Sequence, residues 1–272
     1  MHKSRTLLSI LLAVILAMAL FGLAGCASNE PAPTTPATTE PAAATFTLVT
    51  PGTLTVGSDT SFPPFESMNG NVAEGFDVDL MGAIGKEMGL NVVFLTEGFD
   101  TLIPTLKAGG KFDVIASGMT IKADRQKEID FSDPYYDSNQ SIAMKTGSTL
   151  ASEADLAGKK IGVQSGTTGE EWTKQNVPDA KRVPFKTATE AFAALQAGNV
   201  DAVINDLPVT VEIVKDPARG LAIVKEIPTG EQYGFGVSKD NPELLKAIND
   251  ALAKVRASGE YQTLYDKYFA IK

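Results

Sequence analysis

The chain has 272 residues, with 24 basic and 33 acidic side chains, one histidine (His2) and one cysteine (Cys26). That length allows more than one packing unit. A net charge of −9 argues against nucleic acid, whose phosphates demand clusters of Lys and Arg. With one His and one Cys, both near the start, the remainder has no imidazole base, no thiol nucleophile, no disulfide and no Cys/His metal site. Lys145-Thr146-Gly147 matches one motif of the Ser/Lys acylases, but no S-x-x-K accompanies it. It reads as a strand end and turn.

In chain order, Met1–Arg5 is basic and Leu7–Leu23 is almost wholly apolar, the layout of a secretory signal. Leu23-Ala24-Gly25-Cys26 follows and resembles the bacterial lipobox, which makes residues 1–25 a lipoprotein signal peptide and Cys26 the lipidated residue. Ala27, rather than Asp, stands after it. Cleavage would leave 22 basic against 33 acidic side chains, a charge of −11. Several acyl chains on one residue would hold the protein durably at a bilayer surface. Residues 26–47 then form an Ala/Pro/Thr/Glu-rich disordered tether, with folded structure starting near Phe46.

From there β-rich runs alternate with helical ones, the mark of an α/β fold. Strands are predicted at Leu54–Gly57, Leu90–Leu95, Phe112–Ala116, Lys160–Val163 and Asp201–Ile204. Helices are predicted at Asp77–Met88, Asp100–Lys107, Gly169–Gln175, Thr189–Gln196, Glu243–Arg256 and Tyr261–Phe269. Leu106–Ser117 echoes Leu195–Asn205: each is a helix end, a glycine, then Asp leading an apolar strand into a polar residue. The echo suits two similar lobes, and it also suits any α/β protein.

Ligands of open α/β sheets sit beyond the carboxyl ends of the strands. That rule nominates Asp59 onward, Ser117 onward, Gln164 onward and Asn205-Asp206. In Ser117–Arg125, Gly118 permits close approach of backbone, Thr120 offers a hydroxyl and an N–H, and Arg125 offers a planar fork for a carboxylate. Arg125 could equally be a surface helix residue beside Lys122 and Lys127. Thr167 and Thr168 open a helix whose free N–H groups suit an anion, or serve only as its N-cap. Asp206 can meet an ammonium, or cap the helix that Pro208 opens. Phe62 and Phe99 can wall an aliphatic stem, or simply fill core.

Taken together, Asp59–Glu66, Gly75–Leu80, Leu102–Pro104, Ser117–Arg125, Asp130–Tyr136 and Gln164–Glu170 resemble family 3 of the extracellular solute-binding proteins, the polar amino acid binders of ABC importers. The resemblance runs from about Leu54 to the C-terminus. It implies an α/β periplasmic-binding-protein type II fold of two lobes joined by two crossing strands. Lobe 1 would comprise residues 48–140 and 233–272, and lobe 2 residues 141–232. The crossings are expected near Ser141–Met144 and Tyr233–Val237, with Gly234 and Gly236 as bending points.

By the same resemblance, Arg125 grips the ligand α-carboxylate with Thr120 and Thr168. Asp206 takes the α-ammonium with the Ser117 or Gly118 carbonyl and the Thr120 hydroxyl. Phe62 and Phe99 sandwich the side chain, and Asp59 lies near its polar end. Gln164 holds a position that varies with specificity. The ligand expected first is glutamine, then arginine or lysine. No cofactor, metal or catalytic residue is expected. The partners expected are a polar amino acid, ABC permease and ATPase subunits, and the membrane through the lipid anchor alone, with the protein monomeric on the outer face of the cell membrane. A cyclohexadienyl-dehydratase-like enzyme and a ligand-sensing partner of a receptor are the alternatives.

Overall fold

The computed structural model describes residues 45–149 and 152–270. The leader, Cys26 and all but the last residues of the 26–47 tether lie outside the described residues. Phe46 already packs on the main core, and Asn241 donates to the Thr47 carbonyl at 2.7 Å. Packing therefore begins inside the segment assigned to the tether.

The chain opens with β1 (Thr53–Ser58), then a meander of β2 (Ser61–Phe62), β3 (Glu66–Asn69) and β4 (Val72–Glu74). Next come α1 (Phe76–Met88), β5 (Asn91–Thr96), α2 (Phe99–Ala108), β6 (Val114–Ile115), α3 (Ala123–Glu128) and β7 (Asp130–Phe131). The middle of the chain builds β8 (Tyr136–Lys145), β9 (Lys160–Gln164), α4 (Thr168–Asn176), β10 (Lys181–Phe185), α5 (Ala188–Ala197), β11 (Ala202–Asp206), α6 (Leu207–Val214) and β12 (Leu221–Tyr233). The chain closes with β13 (Gly236–Val237), α7 (Pro242–Ala257) and α8 (Glu260–Phe269).

These elements make two five-stranded sheets with the same plan. One runs β5-β1-β6-β13-β7 and the other β10-β9-β11-β8-β12. In each, a central strand pairs in parallel with two neighbours, and the last two strands join antiparallel. The echo read in the sequence has a physical counterpart. Asp113, ahead of β6, accepts the Thr55 N–H of β1 at 2.8 Å, and Asp201, ahead of β11, accepts the Lys160 N–H of β9 at 2.7 Å. Each aspartate ties the third strand of its sheet to the start of the central one.

Local sequence explains the helices. In α1, Asp77 and Asp79 occupy the first turn and Gly89 ends the helix at φ 70°, where glycine carries no Cβ penalty. The Thr187/Glu190 capping box starts α5 by satisfying two orphan N–H groups reciprocally. In α7, Leu244, Ile248, Ala251, Leu252 and Val255 recur at helical spacing and are all buried.

The chain changes sheets between Phe131 and Tyr136, and again between Tyr233 and Gly236. The second place agrees with the expected crossing. The first lies earlier than expected, since Ser141–Met144 are well inside β8, paired with β11 and β12. The cause is the long antiparallel partnership of β8 and β12, which starts at Tyr136 opposite Tyr233. Gly234 and Gly236 have another reason to be glycine. A Cβ would meet Ile121 Cδ1 at 2.8 Å from Gly234 and Ile129 Cδ1 at 2.8 Å from Gly236, closer than packed atoms allow.

Candidate functional site

The four nominated strand ends converge. β1 leads into Asp59, β6 into Ser117, β9 ends on Gln164 and β11 ends on Asp206. Between them lies a closed slot lined by Phe62, Phe99, Gly118, Thr120, Arg125, Gln164, Thr167, Thr168 and Asp206. All nine are residues nominated from the sequence. The other two, Asp59 and Ser117, stand one layer behind.

Arg125 is 7 % exposed, so the surface alternative fails. Its Nη1 donates to the Thr120 carbonyl at 2.9 Å and its Nη2 to the Gly166 carbonyl at 3.0 Å. The guanidinium also stacks 5.3 Å from the centre of the Phe99 ring. Burial pulls its pKa down, while the charges of Asp206, Asp124 and Glu231 oppose that pull. The short α3 holds it there, with Lys127 outside and exposed.

Asp206 occupies the N-cap position of α6 but makes no side-chain cap bond. Its carboxylate is engaged elsewhere. Oδ1 accepts from Gln140 at 2.6 Å and Oδ2 accepts the Tyr233 hydroxyl. Burial and the neighbouring Glu231 charge push its pKa up to about 7, against the opposing pull of Tyr233, Gln140 and Arg125.

Thr167 and Thr168 part company. The Thr167 hydroxyl caps α4, accepting from Glu170 N at 3.2 Å and donating to the Gln164 carbonyl at 2.8 Å. The Thr168 hydroxyl instead donates to Glu231 at 3.0 Å. Thr120 donates to the same Glu231 oxygen at 3.1 Å. Phe62 is buried against Phe65, ring centres 6.1 Å apart, and covers Gly118, where a Cβ would come 2.8 Å from the ring. Gly118 has φ +52°, a conformation that favours glycine.

Ser117 does not offer its hydroxyl to the slot. That group donates to Glu66 at 2.7 Å and accepts the Asp59 N–H at 2.9 Å. Asp59 is buried, receiving Gln164 Nε2 at 2.7 Å and Ser61 Oγ at 2.9 Å. Burial raises its pKa, the two donors oppose the rise, and Glu190 and Asp100 add to it. Gln164 therefore spends its amide N–H groups on Asp59 and on the Lys186 carbonyl, 3.1 Å away.

Elements from both sheets meet across the slot through Asp59–Gln164 and Arg125–Gly166. Lys122 and Glu171 form an ion pair at its edge. The molecule is shut. Sequence reasoning missed Gln140, Glu231 and Tyr233, which hold the lining residues Thr120, Thr168 and Asp206 from behind. They belong to β8 and β12, and no local motif marks them; the antiparallel register that sets Asp206 opposite Gln140 is a tertiary fact.

The sequence profile of the bacterial extracellular solute-binding proteins, family 3, matches residues 54–271. An ABC transporter arginine-binding protein 1 of Escherichia coli is 38 % identical over 220 residues, covering 78 % of this chain and 89 % of that one. An ancestral arginine-binding protein solved with bound glutamine is 44 % identical with a TM-score of 0.78, covering 82 % of this chain and all of the other. An ancestral amino acid-binding protein, a precursor of cyclohexadienyl dehydratase, is 39 % identical with a TM-score of 0.75, covering 80 % and 96 %. The fold and its slot define a type II periplasmic-binding architecture. The chain belongs to family 3 of the bacterial extracellular solute-binding proteins.

Proposed function

We propose that this protein captures a polar L-amino acid between its lobes and hands it, in the shut form, to an ABC importer. The observation that carries the reading is the pairing of Arg125 and Asp206 as buried opposite charges on one slot. A zwitterion supplies a carboxylate to the one and an ammonium to the other, and few other small metabolites do both. Phe62 and Phe99 supply apolar wall for a methylene stem.

Among polar side chains, arginine now stands before lysine and glutamine. The Gln164 NH2 is spent on Asp59 and Lys186, which leaves only its amide oxygen, without a partner among the described residues, to accept from a ligand donor. Asp59 has Glu190 and Asp100 as acidic neighbours, and a cationic ligand end relieves that concentration of charge. The Escherichia coli relative named for arginine binding supports arginine, and the ancestral relative with glutamine bound keeps glutamine in the set. With the sheet changes where the fold has them, residues 48–135 with 234–272 act as one lobe and 136–233 as the other. The signal peptide directs export, and acylated Cys26 with its tether keeps the monomeric protein at the outer membrane face, within reach of the permease.

A thermal-shift and calorimetric screen of the twenty L-amino acids tests this, because a ligand that binds only the folded state raises apparent stability. Arginine should give the largest shift. Binding of a branched aliphatic or of glutamate, with none of arginine, lysine or glutamine, overturns the assignment. The dehydratase-related neighbour makes an enzyme on this fold the second reading, and turnover of prephenate or arogenate by the purified protein would establish it.

A further inference from the structure

We propose that Glu231 is a positioning residue that fixes which way two of the slot's three threonine hydroxyls, those of Thr120 and Thr168, point, and so builds the ammonium end of the site. The inference rests on the amino acid reading above. Glu231 lies on β12, two residues before Tyr233, and does not line the slot. Its Oε2 receives the Thr120 hydroxyl from one lobe at 3.1 Å and the Thr168 hydroxyl from the other at 3.0 Å. Gln140 Nε2, which also holds Asp206, lies 3.1 Å from the same oxygen.

The chemistry follows from the donor inventory. A carboxylate only accepts, so each hydroxyl spends its single proton on Glu231 and keeps only lone pairs for the ligand. An ammonium only donates. Thr120 is thereby set as an acceptor for the ligand ammonium, beside Asp206. Thr168 cannot donate its hydroxyl to the ligand carboxylate as well, so its grip on that group comes from its place at the start of α4, where backbone N–H groups are free of helix partners. Tyr233 donates to Asp206, so two residues of β12, Glu231 and Tyr233, together with Gln140 of β8, set the acceptors at this end of the slot. Thr120 and Thr168 come from opposite lobes, and the shared carboxylate completes the arrangement only when the lobes are shut.

The test measures L-arginine affinity by calorimetry for Glu231→Gln in three backgrounds, wild type, Thr120→Ser and Thr120→Val, with an unfolding midpoint for every variant. Glu231→Gln should weaken binding roughly tenfold in wild type and in Thr120→Ser, which keeps the hydroxyl, as expected for losing the orientation of a bond to a charged group. In Thr120→Val the same change should cost less than about threefold, since no hydroxyl remains to be oriented. A purely structural Glu231 predicts an equal loss in all three backgrounds, and that result, or unchanged affinity throughout, overturns the proposal. Wild-type protein that bound none of the polar amino acids would defeat the functional reading and this inference with it. Wild-type binding with a background-independent loss would defeat this inference alone.

Discussion

Glu66 and Asp77, both fully buried, hold consecutive residues of one ligand loop. Glu66 accepts the Ser117 hydroxyl at 2.7 Å, and Asp77 accepts the Gly118 N–H at 3.0 Å together with the Tyr135 hydroxyl at 2.7 Å. Each keeps one oxygen, Glu66 Oε2 and Asp77 Oδ1, with no hydrogen-bond partner among the described residues. Burial and mutual repulsion raise Glu66 well above the usual carboxylate range, and burial lifts Asp77 to about 7. Two ionised carboxylates buried without a cation are untenable. Burial without a cation therefore favours the neutral form of one of the two acids.

The first prediction concerns pH. A carboxyl whose folded pKa lies above its unfolded value contributes stability that is fully present below the unfolded pKa, and that is lost as pH rises through the folded pKa. For Asp77 that window runs from 3.8 up to about 7. Glu97, Asp124 and Glu128 shift the opposite way, so their influence falls below the window used here. The ligand-free protein should unfold at a higher temperature at pH 5 than at pH 8, by a few degrees at about 2–4 °C per kcal/mol for a chain of this size. Asp77→Asn, which mimics the neutral acid, should lessen the dependence without abolishing it, because Glu66 and Asp206 are raised as well. Calorimetric midpoints for both proteins at the two pH values measure it. A wild-type midpoint that rises with pH would refute the protonated pair.

The second is lipidation. Cys26→Ala should leave the precursor uncleaved or release the protein from the membrane, while amino acid binding by the folded body survives. Detergent partitioning and intact-mass measurement on membrane fractions read this out. A Cys26→Ala protein still acylated and membrane-held would end the anchor assignment.

The third is specificity at Asp59. Asp59→Asn removes the charge and leaves one amide oxygen to accept from either Ser61 or Gln164. Arginine affinity should fall about tenfold or more, while glutamine affinity stays within about threefold, because only the cationic ligand loses a charged partner. Calorimetry with both ligands decides it. Equal loss for the two would mean that Asp59 only supports Gln164.

The helices were legible because their signals are local: glycine after α1 and α5, and helical apolar spacing in α7. β12 was not. Pro228 and Gly230 break its alternation, and the register slips between Ile227 and Glu231, so only pairing with β8 reveals the strand. β2, β7 and β13 have two residues each, too few for a pattern to stand out. In the site, the rule placing ligands at strand ends found the lining residues. It placed Asp59 and Ser117 one layer too close, because whether a polar side chain faces the slot or its support depends on neighbours such as Glu66, which lies 51 positions from Ser117.

The last prediction is the charge clamp. Arg125 and Asp206 are buried from opposite lobes, and each has protein partners that leave its own charge only partly compensated. With ligand bound, removing either leaves an opposite charge buried and unpaired. That costs about 2–5 kcal/mol, or roughly 30- to several-thousand-fold in affinity. Arg125→Lys should also weaken binding, since a point charge cannot reproduce a two-pronged grip and loses the stacking on Phe99. Asp206→Asn removes the charge at nearly unchanged volume and leaves one amide oxygen to accept from Gln140 or Tyr233. Unfolding midpoints without ligand should change little, because opening of the lobes returns both groups to water. If the two residues were only structural, the pattern would invert, with lowered midpoints and affinity within about twofold of wild type. Dissociation constants and midpoints for Arg125→Ala, Arg125→Lys and Asp206→Asn separate the two outcomes. Near-wild-type affinity in all three variants would refute the clamp.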